Sequence, residues 1–238
     1  MAEPTETPRR NLTGAVIPAL AAAGLAAVGA IFLVGVTGLN NREAAAPRDC
    51  IVEGAEGLGG PIDLIDHNGA RVTQADFAGQ PAVVYFGFTH CPAICPSTML
   101  VVGEALEQPG GHDVQPILIS VDPARDTPER LRRYVATEGF PLGLVGLTGS
   151  QAQIDAALGE FHAYGRAQPP APGAAADDYN VDHTSILYVM DGRWRAVSAI
   201  QTVRREDPMD PTSAMLPVAP EEIAACIAAG LERSVTGT

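Results

Sequence analysis

The sequence predicts an α/β fold, a sandwich on a mixed central sheet, preceded by one N-terminal transmembrane helix. Three observations carry this. Strand-like runs alternate with helix-like runs through the middle of the chain, and a strand pair and a last helix close it. Two of the runs, PAVVYFGF (81–88) and VQPILISV (114–121), are continuously apolar and rich in β-branched residues, as strands covered on both faces are. A long uncharged stretch stands in front of them all.

The elements follow in order. Residues 1–13 form a short tail. Between Asn11 and Asn41 there is no charged residue, and the core GAVIPALAAAGLAAVGAIFLVGV spans residues 14–36. As a helix it would be about 34 Å long, enough to cross a bilayer with some tilt. A secretory apolar region is shorter, about 7–15 residues, so a retained anchor is favoured over a cleaved signal. The AAA at 44–46 is the minority argument for cleavage. A buried soluble helix would be the bland alternative, but the stretch has no polar face. Arg9 and Arg10 on one side balance Arg42 and Arg48 on the other. A short tail before a large domain reads as a signal anchor, single-pass in the inner (plasma) membrane, with the domain on the outer, periplasmic side. That compartment is oxidising.

Residues 37–60 are rich in Gly, Ala, Asn and charge and read as a tether. The boundary is set so that 37–54 is linker and 55–238 is the folded domain. IDLIDHNGARVT (62–73) reads as a β-hairpin with Asn68-Gly69 at the turn. The strand 81–88 runs into a loop with Cys91. CPSTMLVVGEALEQ then has helical spacing, with Pro96 at a first helical position and Cys95 just before it. After the strand 114–121, DTPERLRRYVATE opens a helix with Asp126 as N-cap and Glu129 at N3. SQAQIDAALGEF (150–161) is another helix. RAQPPAPGAAADD (166–178) is a Pro/Ala/Gly loop with little to pack. HTSILYVM and RWRAVSAI read as paired strands joined at Asp191-Gly192, and a last helix spans about 220–233.

Composition narrows the chemistry. Hydrophobic content is 46%, which argues against a wholly disordered chain. All 15 basic residues are Arg, so Schiff-base and P-loop lysine chemistry are absent. A net charge of −13 argues against a nucleic-acid partner.

The chemistry-bearing stretch is FGFTHCPAICPSTM. It places Cys91 and Cys95 where a strand's carboxyl end meets a helix N-terminus. Backbone N–H groups and the helix dipole there favour thiolate. Thiolate is both nucleophile and metal ligand, so the location alone leaves both chemistries open. The alternative is a pair of ordinary buried thiols or a static disulfide. A two-residue insert is the redox pattern, whereas three residues leave room for an ion. Soft thiolates select Cu(I) or Zn and would leave a position for a third ligand. Among five His, His67 reads as a solvated turn residue and His90 as pointing away from the sulfurs. His112 lies in a loop and His162 ends a helix. His183, after Asp182 and at the entrance to a predicted buried strand, can approach the Cys91 loop.

Together, YFGFTHCPAICPSTM, LISVDPARDTPERLRRYV and VDHTSILYVMD resemble the Sco/SenC family of membrane-anchored copper-binding proteins, over roughly residues 55–232. The resemblance implies a thioredoxin-like (peroxiredoxin-like) fold and copper, Cu(I) and/or Cu(II), held by Cys91, Cys95 and His183. Asp182 would orient or charge that site. Asp122 and Arg125 would shape a neighbouring loop. The implied partner is cytochrome c oxidase subunit II or another copper oxidase subunit. The implied role is a metallochaperone rather than an enzyme, with thiol–disulfide oxidoreduction through Cys91 and Cys95 as the alternative. A thiol peroxidase would need Thr89 elsewhere. Many relatives carry Asp between the cysteines, whereas this chain has Pro92-Ala93-Ile94. Thioredoxin-type enzymes also keep a cis-proline facing the dithiol, where this chain has Asp182-His183. Two sulfurs and one imidazole suit Cu(I), and an added oxygen ligand would admit Cu(II). Cys50 and Cys226 are a possible disulfide pair. Met209 and Met215 are loop residues that could assist copper.

Overall fold

The structure, a computed structural model, describes residues 57–108 and 113–236. The tail, the anchor expected at 14–36, the linker at 37–54, Cys50 and His112 lie outside those residues. Among the described residues, no helix is long and apolar enough to cross a membrane.

A hairpin of β1 (Asp63–Asp66) and β2 (Arg71–Thr73) opens the domain, with Gly69 at φ 87° in its turn. That conformation suits glycine, which has no Cβ to clash. Strand β3 (Ala82–Gly87) follows, then helix α1 (Ile94–Leu106), β4 (Gln115–Ser120), α2 (Pro128–Val135), β5 (Val145–Thr148) and α3 (Gln151–Glu160). The remaining elements are β6 (Gly165–Ala167), β7 (Val181–His183), β8 (Ile186–Met190), β9 (Ala196–Gln201), β10 (Val203–Arg205), β11 (Met215–Pro217) and α4 (Pro220–Thr236).

Seven strands form one sheet in the order β2-β1-β5-β4-β3-β8-β9. The pairs β3/β4 and β4/β5 are parallel, whereas β1/β5, β3/β8 and β8/β9 are antiparallel, so the sheet is mixed as the sequence predicts. All six residues of β3 are buried, so both faces of the sheet are covered at its centre. Helices α1 and α4 pack together, α4 lies on β8 and β9, α2 on β5, and α3 against β1. Beneath α3, Phe161 meets Phe86 and Tyr188 edge to face, with centroids 5.3 and 5.1 Å away.

Three local expectations are corrected. Helix α1 begins at Ile94, with Ala93 as N-cap, so Cys95 and Pro96 lie inside the first turn. The N-cap of α2 is Thr127, whose Oγ1 accepts from the Arg130 N–H, and Pro128 takes the first helical position. Asp126 is drawn instead into the interior, where three other donors reach it. His183 ends β7, a short strand paired with β6 in a ribbon of its own, and the sheet strand β8 starts three residues later. Ser150 and Gln153, by contrast, form the full reciprocal capping box at α3.

Candidate metal centre

Three donors converge from three places in the chain. Cys91 lies in the loop leaving β3, Cys95 is the second residue of α1, and His183 ends β7. The Sγ atoms of Cys91 and Cys95 and one ring nitrogen of His183 all lie within 4.8 Å of one another. Cys95 Sγ is 3.4 Å from His183 Nε2. Cys95 is fully buried, whereas Cys91 and His183 are half-buried and Pro92 and Ala93 are exposed. The cluster therefore opens to solvent on the Cys91 side.

Backbone geometry creates this placement. β3 delivers the chain to its carboxyl end at Gly87, where a Cβ would stand 3.3 Å from Cys95 Sγ and 3.0 Å from the Tyr85 ring. A glycine there leaves room for the sulfur. The Cys91 N–H donates to the Phe88 carbonyl and closes the loop. At the start of α1, the N-cap residue Ala93 offers no side-chain acceptor. The sulfur of Cys91 takes that place, accepting the Cys95 backbone N–H at 3.3 Å.

The two thiols are unlike. The Cys95 thiol donates to Cys91, and with help from His183 and the backbone N–H groups of Cys95 and Ala93 it outweighs burial and lowers Cys91 to about 4. The same bond to Cys91, together with burial, pushes Cys95 far up. At neutral pH the pair thus holds one proton, with thiolate on Cys91 and thiol on Cys95.

The orientation of His183 is fixed by its neighbours. Its Nδ1 lies 2.9 Å from the Thr184 carbonyl, which can only accept, so Nδ1 carries a proton and Nε2 is the ring nitrogen turned to the sulfurs. The rings of Phe88 and Tyr85 meet the imidazole edge to face at 5.7 and 6.1 Å. Two sulfurs and one imidazole nitrogen are a soft donor set of the kind that suits Cu(I) or Zn.

Asp182 is placed elsewhere. Successive strand residues face opposite sides, and its carboxylate accepts from Gln168 at 2.6 Å on the exposed side of the β6/β7 ribbon. The hydrogen bond that orients the His183 ring is made with the Thr184 carbonyl, a backbone group with no side-chain signal in the sequence. His90 turns its Nδ1 towards Asp126, 3.7 Å away. His67 is no simple solvated turn residue, because its Nδ1 accepts the Gly146 N–H at 3.2 Å. His162 sits at the end of α3 with φ 48°. Met209 is exposed on the loop between β10 and β11. Cys226 is buried and disulfide-bonded, whereas Cys91 and Cys95 are free.

Comparison with known proteins agrees with this arrangement. A family model described as SCO1/SenC matches residues 52–214. Protein SenC of Rhodobacter capsulatus is 42% identical over 136 residues, covering 56% of this chain and 59% of that protein. The human protein SCO1 homolog, mitochondrial, is 39% identical over 137 residues, covering 56% of this chain and 44% of that protein. The chain thus spans about half the length of the curated relatives it matches. Among solved structures, Bradyrhizobium japonicum ScoI with copper bound is 35% identical, with a TM-score of 0.58, covering 73% of this chain and 99% of that one. Arabidopsis thaliana ScoI with copper bound is 30% identical, with a TM-score of 0.60, covering 74% and 99%.

Proposed function

This chain belongs to the SCO1/SenC family, and from that membership and the convergence of Cys91, Cys95 and His183 we propose that it binds one copper ion there and passes it to a copper centre of cytochrome c oxidase during assembly. Copper is cargo in this reading, and no turnover is required. The observation that carries it is the donor set. Two sulfurs and one imidazole nitrogen lie within 4.8 Å of one another at a site that opens to solvent. Such soft donors favour Cu(I). The open side lets a partner's ligands replace them one at a time. The recipient is a copper-binding subunit of the oxidase, subunit II in the family pattern.

The uncharged stretch at 14–36 supports tethering to the inner membrane by a single span, with the domain on the outer face beside such a partner. Residues 37–54 then act as the leash.

Anaerobic titration of the reduced full chain in detergent with Cu(I) is expected to give one tightly bound ion. His183→Ala should weaken binding by at least about tenfold, as losing a ligand or its support does elsewhere. Unchanged affinity would contradict the three-ligand site.

The free pair also favours a second reading, thiol–disulfide exchange with an oxidase cysteine pair. The Cys91 thiolate would attack the partner disulfide, and Cys95 would then release the partner as its dithiol, leaving this chain oxidised. Cys95→Ser should trap a mixed disulfide in that case, and His183→Ala should leave the exchange intact. Both roles can coexist, because copper binding needs the dithiol reduced.

A further inference from the structure

The two halves of the metal centre are far apart in sequence, yet one short turn touches the approach to each. The turn is residues 122–126, between β4 and α2. We infer that this turn is a bracket that sets the distance between the cysteine loop and His183, with Arg125 as its positioning residue on the histidine side. The inference rests on the copper reading above.

On the cysteine side the contact is Asp126. Its carboxylate is fully buried and accepts from the Thr89 N–H at 3.0 Å and the Thr89 hydroxyl at 2.6 Å. Thr89 stands two residues before Cys91. The Ser120 hydroxyl, from the end of β4, gives Asp126 a further bond at 2.6 Å. The loop that presents Cys91 is therefore tied to the parallel neighbour strand.

On the histidine side the contacts are Asp122 and Arg125. Arg125 pairs with the buried Asp122 and donates through Nη1 to the carbonyls of Asp177 and Tyr179, at 2.9 and 2.8 Å. Its guanidinium lies 3.6 Å from the Tyr179 ring centroid, and the Tyr179 hydroxyl donates to Asp122 at 2.7 Å. Tyr179 is two residues before β7, the strand that His183 ends. The guanidinium also lies 5.9 Å from the ring centroid of Phe88, and that ring borders the imidazole. β7 is otherwise held by its pairing with β6 and by Gln168, which donates to the Asn180 carbonyl and to Asp182. A planar, fully charged guanidinium with a fixed fork of donors is suited to pinning two carbonyls and a ring together.

The same carboxylates, with His90, form a second group of possible metal-binding atoms. Their oxygens are already committed to Arg125, Tyr179, Thr89 and Ser120. The bracket accounts for that group without an ion.

A positioning residue acts through the ligand it positions, which distinguishes it from a residue that only supports the fold. In the reduced full chain, Arg125→Gln is expected to weaken Cu(I) binding about ten- to a hundredfold, the usual effect of losing such support. In a His183→Ala background the same substitution should cost nothing further, because the ligand it places is gone. Asp126→Asn should still weaken binding in that background, because it acts on the cysteine loop. Tyr179→Phe keeps the stacked ring, loses only the bond to Asp122, and serves if Arg125→Gln does not fold. It should show the same dependence on His183 with a smaller loss. Equal losses with and without His183, or no loss in either background, would overturn the bracket. If His183→Ala alone left Cu(I) affinity unchanged, the copper reading and the bracket would both fall, and that outcome shows in the single variant.

Discussion

At the sulfurs, one proton is held between two thiols with different surroundings. Cys91 is lowered to about 4 by the bond from Cys95, and Cys95 is pushed far up by the same bond and by burial. Across the neutral range Cys91 is already thiolate and Cys95 is still protonated, so binding a metal to both must expel one proton. Raising the pH removes that competitor. Cu(I) affinity is therefore expected to rise about tenfold per pH unit around neutrality, measured by competition with a chelator of known pH dependence. As the pH falls through about 4, Cys91 protonates as well and the dependence should steepen. A flat profile would mean that the proton is not shared as the geometry implies. The convergence of Cys91, Cys95 and His183 is legible in the sequence, because Cys and His are the residue types that soft metals demand. The partner of His183 is not, because the Thr184 carbonyl is a backbone group that any residue could supply. Asp182 was the visible alternative, but strand alternation turns it to the other side.

At the level of elements, α1 starts in an unusual way. Its N-cap, Ala93, has no acceptor, and the Cys91 sulfur fills that role. Ala93→Asp would add a capping carboxylate, worth about 1 kcal/mol to a helix start in favourable geometry. It would also set a second negative charge beside the thiolate. The expected result is that Cys91 titrates at higher pH in Ala93→Asp, read from the pH dependence of its alkylation rate. An unchanged or lower titration point would contradict the capping role of the sulfur. The long apolar runs gave β3 and β4 directly, and the Ser150/Gln153 signature gave α3, because each carries many residues of one pattern. β5 is four residues with a glycine inside, and β6, β7, β10 and β11 are three residues each. Such pieces are too short to show a period. The N-cap of α2 falls one residue beyond the one the sequence predicts, because Asp126 and Thr127 are both good caps. Burial decided between them, drawing Asp126 to Thr89 and Ser120.

For the molecule as a whole, the mixed sheet carries a free thiol pair beyond the end of its central strand β3. Cys91 and Cys95 are free, whereas Cys226 in α4 is disulfide-bonded. Cys50, outside the described residues, is the partner the sequence suggests for it. Non-reducing peptide mapping is expected to recover a peptide joining Cys50 and Cys226, and finding Cys226 as a free thiol would contradict it. Such a bond would keep the copper thiols from scrambling with a third cysteine in an oxidising compartment. The mixed architecture was legible from the alternation of strands and helices. The turn at residues 122–126 was legible only as a neighbouring loop, because its reach to Thr89 and Tyr179 is a property of the folded chain. If Cys91, Cys95 and His183 hold one copper ion together, X-ray absorption spectroscopy of the Cu(I)-loaded protein will show it. Two sulfur ligands and one imidazole nitrogen are expected, with the imidazole signal lost in His183→Ala. A copper bound by sulfur alone, with a spectrum indifferent to His183, would contradict it.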